Sequence, residues 1–294
     1  MEVLVEEATA GRLDTSGQTV EQLYLDLLKR CLTRTVIGEP YQVIDPALGS
    51  WKRALYLAHL PVKRLLAVAG VELVRQVDVD PDGRAEGRGI PPAAETAIGL
   101  RRLENIEACI ADVLRRGVPG DLIETGVWRG GATIFMRGVL NAYGVTDRVV
   151  WVADSFRGVP KPNVDRFPQD SGAPYWRNAH LAVSVEEVAE NFRRYGLLDG
   201  QVRFLEGWFH ETLHRAPIER LAVLRLDGDL YESTIVALEA LYPKVSVGGY
   251  VIVDDYGGGA PECAQAVDDF RAEHGITEEL ARVDWNGAYW RRTR

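Results

Sequence analysis

The chain has few of the residues that mark a redox or metal-thiolate protein: three cysteines and five histidines in 294 residues. Cys31, Cys109 and Cys263 are odd in number and far apart, and no CxxC pair occurs, so neither a disulfide framework nor a zinc site is indicated. Each reads as a small buried apolar residue. Basic charge is also short, with 34 Lys and Arg against 43 Asp and Glu, a formal charge of -9. That balance argues against non-specific nucleic-acid binding, which needs a basic surface to displace counterions. It suits a neutral, cationic or metal-chelated small substrate. No run approaches the roughly 20 apolar residues of a membrane span. Glu2, Glu6 and Glu7 stand where a signal peptide would be basic, so a cytoplasmic protein is expected.

What is present is an ordinary globular composition, 46% hydrophobic and 26% charged. The length allows one large α/β domain with an N-terminal extension. The extension is expected over residues 1–97. Residues 1–19 read as a loose arm, Val20–Leu32 as a helix with Leu23, Leu25, Leu27, Leu28 and Leu32 in its stripe, and 51–78 as a second helical stretch. Asp78 to Pro92 is dense in Asp, Gly and Pro and reads as a mobile loop. Its DVDPDG run opens like a calcium loop, but Pro81 and the lack of a twelfth-position Glu argue against that.

From residue 98 the pattern alternates regularly. Helices are expected at 98–116, 131–143, 185–195, 232–243 and 261–274, and strands at 121–125, 148–154, 201–206, 220–226 and 248–254. Such alternation predicts a parallel, doubly wound sheet. The end differs: two alternating runs joined by Asn286-Gly287 predict a hairpin. An antiparallel strand closing a parallel sheet distinguishes the class I methyltransferase fold, a seven-stranded Rossmann-like sheet, from the usual nicotinamide-binding one.

Ligands of such sheets bind at the carboxyl ends of the strands. The first strand ends in Glu124-Thr125-Gly126, and Gly130 and Gly131 open the next helix. This is not the G-x-G-x-x-G that a pyrophosphate wants. S-adenosylmethionine has no phosphate; Glu124 can receive its ammonium and the loop N–H groups its carboxylate. The second strand ends in Asp154, where an acid hydrogen-bonds ribose hydroxyls. A cap on the Ser155 loop is the plainer alternative.

Two acid pairs follow at the ends of the fourth and fifth strands, Asp227 with Asp229 and Asp254 with Asp255. Adjacent strands lie about 4.8 Å apart, so the four converge on one rim. Crowded carboxylates raise one another's pKa unless a cation, a basic partner or shared protons relieve them. Oxygen-only ligands select a hard ion, Mg²⁺ with Ca²⁺ as substitute. Helix capping explains one acid per turn but not two pairs. A metal there would acidify a sugar hydroxyl, and an adjacent free carboxylate would take the proton. Asp229 is the candidate base, and Asp227, Asp254 and Asp255 are the candidate ligands.

The segments LYLDLLKRCLTR (23–34), IGLRRLENI (98–106), GDLIETGVWRGGATIFMRGVL (120–140), WVADSFRGVPKP (151–162), Gly207-Trp-Phe209, LRLDGDLYEST (224–234) and GGYVIVDDYG (248–257) closely resemble the macrocin O-methyltransferase family. Its members methylate deoxysugar hydroxyls of macrolide and aminocoumarin antibiotics. The resemblance implies a class I fold, S-adenosylmethionine along the first strands and Mg²⁺ in the aspartate cluster. It assigns cofactor contact to Glu124, Gly126 and Asp154, with Thr125, Ser155, Gly207 and Trp208 beside them. Metal binding falls to Asp227, Asp254 and Asp255, with Asp229 as base and Asp227 beside it in the catalytic pair. Departures are Arg157 and Val159, where the family carries an acidic run, and a long 35–89 segment with no matching motif.

The 160–183 stretch reads as a lid or a disordered segment, with Tyr175, Trp176 and His180 as a cover for the sugar or as packing. His210 and His214, four apart, read as a helical stripe. The partners expected are a sugar-bearing small molecule and a second copy of the chain, through the N-terminal helices. Competing readings are a catechol-type methyltransferase, a cofactor-binding protein without turnover, and a nicotinamide oxidoreductase, the last disfavoured by the glycine pattern and the hairpin.

Overall fold

Five short apolar runs lie side by side as the parallel strands of one sheet, because both of their faces must be covered. The computed structural model describes residues 17–37, 41–43, 65–66, 68–70, 74–76, 80–91 and 93–294. The sheet contains β3 (Asp121–Thr125), β4 (Val150–Asp154), β5 (Val202–Glu206), β6 (Leu221–Leu226), β7 (Val245–Val253), β8 (Ala281–Arg282) and β9 (Ala288–Arg291). Their order is β5-β4-β3-β6-β7-β9-β8. The first five are parallel, while β9 runs antiparallel to β7 and to β8. The predicted hairpin closes with Val283 N–H donating to the Gly287 carbonyl at 2.9 Å.

Helices cover both faces. On one side lie α1 (Val20–Leu32), α3 (Leu100–Arg115), α4 (Gly131–Ala142) and α5 (Val185–Arg194), sharing a core with β3 and β4. On the other, α7 (Tyr231–Leu241) and α8 (Pro261–Glu273) bury Leu238, Val267 and Phe270. A small pair, β1 (Tyr41–Val43) and β2 (Val74–Gln76), is antiparallel and separate from the main sheet. The one-turn α6 spans Phe209–Thr212.

Thr19 and Gln22 form a capping box that starts α1. The expected stripe splits on helical geometry: Leu25, Leu28 and Leu32 are buried, but Leu23 and Leu27 are 42% and 55% exposed. Spacings of three and four residues share a face; positions 23 and 27 fall outside that face. The helix docks on α4 at Gly138, where a Cβ would lie 2.3 Å from Leu28 Cδ2.

Two expectations are corrected. The 78–92 segment is not simply a mobile loop. It carries α2 (Pro81–Ala85), capped by Asp80 Oδ1, which accepts from Gly83 N–H at 3.0 Å. Buried Arg84 anchors it by donating to the carbonyls of Thr33, Thr96 and Ala97 at 3.2, 3.1 and 3.3 Å. The helix expected over 51–78 ends differently, in strand β2; residues 51–64 lie outside the described residues, as do 1–16 of the expected arm. The 160–183 stretch holds three single turns of 3-10 helix, at Pro168–Asp170, Tyr175–Arg177 and Ala179–Leu181. Among the described residues no helix is long and apolar enough to cross a membrane.

The sheet reverses its winding between β3 and β6, so the crevice for a ligand opens at their carboxyl ends. Gly126 sits there with φ +88°, and a Cβ on it would lie 1.8 Å from the Asp227 carbonyl oxygen. The glycine is therefore demanded first by the neighbouring strand. Gly126→Ala is expected to destabilise the protein by roughly 3 kcal/mol through left-handed strain plus backbone collision. Urea unfolding checks this; a loss under about 1 kcal/mol would contradict it.

Candidate active site

Strand β6 reads LAVLRL and is buried throughout, including Arg225 at 0% exposure. Register sets Arg225 opposite Glu124 on β3 and Ile252 on β7. A guanidinium cannot shed its proton, so its charge must be met where it lies. Its Nη1 donates to Glu124 Oε1 and, at 2.8 Å, to Asp227 Oδ2; its Nη2 donates to Asp254 Oδ1. Burial opposes the Arg225 charge, and Asp254, Glu124 and Asp227 together override it, raising its pKa well above the usual value. Arg102 of α3 forms a second arm, with Nη1 on Asp254 Oδ2 at 2.6 Å and Nε on Asp284 Oδ2 at 2.9 Å.

Beside this network opens a cavity of about 1010 Å³. Gly126, Asp154, Ser155, Trp208, Asp227, Asp229, Asp254 and Asp255 all line it, so eight of the residues expected at the site converge. Glu124, Thr125 and Gly207 are not among the lining residues. Glu124 is 1% exposed; its Oε1 accepts from Arg225 Nη1 and its Oε2 is buried without a hydrogen-bond partner. Thr125 faces the Arg225 carbonyl, its hydroxyl 3.4 Å away. Gly207 has φ +137° and serves the turn into α6, where a Cβ would meet Thr212 at 2.8 Å.

Asp154 accepts from Val127 N–H through Oδ2 and from Phe156 N–H through Oδ1, both at 2.8 Å. It ties the loops after β3 and β4 together while lining the cavity, and burial raises its pKa. Ser155 builds the same loop, donating to the Gly158 carbonyl at 2.8 Å and accepting from Arg157 N–H at 3.0 Å.

The acids at the other end are crowded. Asp227, Asp254 and Asp255 each place a carboxylate oxygen within 4.8 Å of the others. Burial, then Asp227 and Asp254, push the Asp229 carboxyl up to about 7. Burial drives Asp255 well above the carboxylate range, reinforced by Asp227 and Asp229. Asp229 has φ +58°. Left-handed backbone is uncommon for a non-glycine residue and concentrates where surrounding structure enforces it. One oxygen of Asp255, Oδ2, is buried with no partner, although Oδ1 accepts from Asn286. That orphan, in an all-oxygen donor set, fits a hard divalent cation. Both Asp254 oxygens already accept from guanidiniums, but each keeps a second lone pair.

The expected aromatic cover is different in detail. Of Tyr175, Trp176 and His180, His180 alone lines the cavity. Tyr175 donates its hydroxyl proton to the Gly259 carbonyl at 3.0 Å, and Trp176 packs beside Lys161 and Arg177. Trp128, Phe209 and Trp285 supply the aromatic walls instead. Trp128 Nε1–H donates to the His180 carbonyl at 2.9 Å, joining the long loop to β3. His210 reaches the cavity, whereas His214 pairs with Arg215, so the two do not act as one stripe.

Sequence reasoning passed over Arg225, Arg102, Trp285, Asn286 and Asp170. A charged residue in the middle of an apolar strand, facing Glu124, was the available signal for Arg225. Asp170, fully buried in the long loop, accepts from Tyr231 N–H at 2.7 Å and Glu232 N–H at 3.0 Å, pinning that loop to the start of α7.

Strand order, closing hairpin and an acid-rimmed cavity at the switch point define a Rossmann-like methyltransferase. Residues 21–292 match the family model described as macrocin-O-methyltransferase (TylF), and the chain belongs to that family of O-methyltransferases. It is 60% identical over 212 residues to the demethyldecarbamoylnovobiocin O-methyltransferase of Streptomyces niveus, covering 72% of this chain and 80% of that one. It is 46% identical over 277 residues to the 8-demethyl-8-(2,3-dimethoxy-alpha-L-rhamnosyl)-tetracenomycin-C 4'-O-methyltransferase of Streptomyces olivaceus, covering 94% and 95% of the two chains. The solved structure of the O-methyltransferase NovP superposes with a TM-score of 0.77 at 50% identity, covering 93% of this chain and all of that one.

Arg225→Met leaves Glu124 and Asp227 without their cation and Asp254 with Arg102 alone, and is expected to cost about 3–5 kcal/mol of stability. Arg225→Lys, a single point charge in place of a fork, recovers only part of that loss. Urea unfolding measures both, and a cost below about 1 kcal/mol for Arg225→Met would contradict the account.

Proposed function

We propose that the chain transfers the methyl group of S-adenosylmethionine to a sugar hydroxyl of an antibiotic or related natural product, with Mg²⁺ and an aspartate base. The observation that carries the reading is the acid rim: Asp227, Asp254 and Asp255 each bring a carboxylate oxygen within 4.8 Å of the others, and Asp229 lines the same cavity in a left-handed turn two residues beyond Asp227. A carboxylate beside a metal's ligand set, and outside it, can act as general base.

S-adenosylmethionine supplies an electrophilic methyl group on a sulfonium, a cation suited to an acid-lined cavity. Asp154 offers its remaining lone pairs to the ribose hydroxyls. Trp128 and Trp208, beside it in the cavity wall, exclude water from the reacting groups. Asp227, Asp254 and Asp255 would hold the metal, whose Lewis acidity lowers the pKa of a coordinated hydroxyl. Asp229 takes the proton that the acceptor oxygen gives up on methylation. Arg225 and Arg102 keep the acids in place and limit their repulsion.

The sugar class is supported by the rhamnosyl-directed activity named for the S. olivaceus relative, with Phe209 and Trp285 available to stack on apolar C–H faces. Residues 1–97 are proposed as a cover over the acceptor: Gly87, Ile90, Pro91 and Ala97 already form part of the cavity wall.

Titration calorimetry with S-adenosylhomocysteine, with and without Mg²⁺, followed by an acceptor screen, tests this reading. Expected are cofactor binding, activity abolished by a chelator, and methylation of deoxysugar glycosides or nucleotide deoxysugars in preference to catechols. Preference for a catechol would overturn the sugar class, and activity in excess chelator would remove the metal. Asp229→Asn is expected to lower kcat by about 10²–10⁴-fold while S-adenosylhomocysteine binding persists. Turnover within a few-fold of the unsubstituted enzyme would take the role from Asp229.

A further inference from the structure

Asn286 begins as a turn signal and ends as part of the cavity wall, 4% exposed. Its Nδ2 donates to Asp255 Oδ1 at 3.0 Å, and its Oδ1 accepts from Gly259 N–H at 3.1 Å. A reversed amide would set oxygen against carboxylate and NH₂ against N–H, so the two partners fix the orientation. The loop after Asp255 wraps closely around this side chain: a Cβ on Gly257 would lie 2.5 Å from Asn286 Cα and 2.7 Å from its Oδ1.

The turn that carries Asn286 is itself fastened to the other acid of the pair. Asp284 Oδ1 accepts from Asn286 N–H at 2.9 Å and Gly287 N–H at 2.7 Å. Its Oδ2 accepts from Arg102 Nε, and Arg102 Nη1 reaches Asp254 Oδ2. A closed circuit therefore runs from Asp254 through Arg102, Asp284 and Asn286 to Asp255. Its ends are the two neighbouring acids that follow β7. Asp255 Oδ1 is occupied by the amide, and Asp255 Oδ2 is the buried oxygen left without a partner.

We propose that Asn286 is a positioning residue for the metal centre: its amide holds one oxygen of Asp255 so that the other is presented to a cation shared with Asp227 and Asp254. This rests on the metal reading given under Proposed function. A neutral donor suits the position, because it satisfies the carboxylate without competing for the cation as a second acid would. Lysine or arginine there would neutralise Asp255 and remove the need for a metal. Outer partners of this kind orient ligands, and losing one weakens metal affinity by about 10–100-fold.

The test is Mn²⁺ binding to the full chain in the presence of S-adenosylhomocysteine, followed by the electron paramagnetic resonance signal of free Mn²⁺. Asn286→Ala is expected to bind Mn²⁺ about 10–100-fold more weakly, with S-adenosylhomocysteine affinity unchanged. Its rate should require correspondingly more metal yet approach the same plateau, which a general structural lesion would not do. Asn286→Ser keeps a turn-forming residue but is too short to reach Asp255, and the same weakening is expected of it should the alanine variant fail to fold. Both variants binding Mn²⁺ as tightly as the unsubstituted chain would overturn the inference, as would joint loss of Mn²⁺ and S-adenosylhomocysteine binding. An unsubstituted chain that binds no Mn²⁺ would instead overturn the metal reading itself, and this inference with it.

Discussion

The buried guanidinium of Arg225 is the interaction around which the site is organised. It lies in the middle of the sheet, between β3 and β7, and bonds Glu124, Asp227 and Asp254. Removing two charges of a buried pair from water costs several kcal/mol per ion, so such an arrangement is weak support for stability alone. Hydrophobic residues at 124 and 225 would fill the same sheet at lower desolvation cost. What the cation provides is placement: the acids that leave β6 and β7 are held near one another despite their repulsion. Arg102 extends that control to Asp284 and the closing hairpin.

Around this fixed floor the walls are loops tied by single side chains. Asp154 binds the loops after β3 and β4, Asp170 binds the long loop to α7, and Trp128 binds it to the cavity mouth. Trp285 Nε1–H donates to the Glu86 carbonyl at 2.8 Å, so the hairpin also reaches the segment beside α2. The Asp154 and Asp170 ties satisfy buried or half-buried groups, whereas those of Trp128 and Trp285 are exposed; the bonds Val127–Asp154, Tyr231–Asp170, Trp128–His180 and Trp285–Glu86 span 27, 61, 52 and 199 positions of sequence. The acids are thereby carried at strand ends, while much of the remaining cavity wall is built from loops.

The parallel sheet and its closing hairpin were legible because apolar runs, turn residues and spacing are local signals. Asp154, Asp227, Asp229, Asp254 and Asp255 were legible too, since strand ends in such a sheet face one crevice. The pairing of Glu124 with Arg225 was not legible, because sequence cannot tell a strand residue that faces a ligand from one that faces a neighbouring strand. The two lie 101 positions apart in sequence. Trp285 and Asn286 were read only as hairpin residues for the same reason: their partners Glu86 and Asp255 are supplied by tertiary contact. Tyr175 and Trp176 were open between cover and packing by composition, and short 3-10 turns direct them to Gly259 and Lys161.

On the proposed function, one cavity joins a cofactor end at Gly126 and Asp154 to an acid end at Asp227, Asp254 and Asp255 that would hold the metal. A crystal structure with S-adenosylhomocysteine and Mn²⁺, recorded for anomalous scattering, tests it most directly. The account predicts an anomalous peak in contact with oxygens of Asp227, Asp254 and Asp255, the cofactor's ribose at Asp154, and Asp229 facing the space between sulfur and metal. An anomalous peak elsewhere, or a cofactor seated away from Asp154, would contradict it.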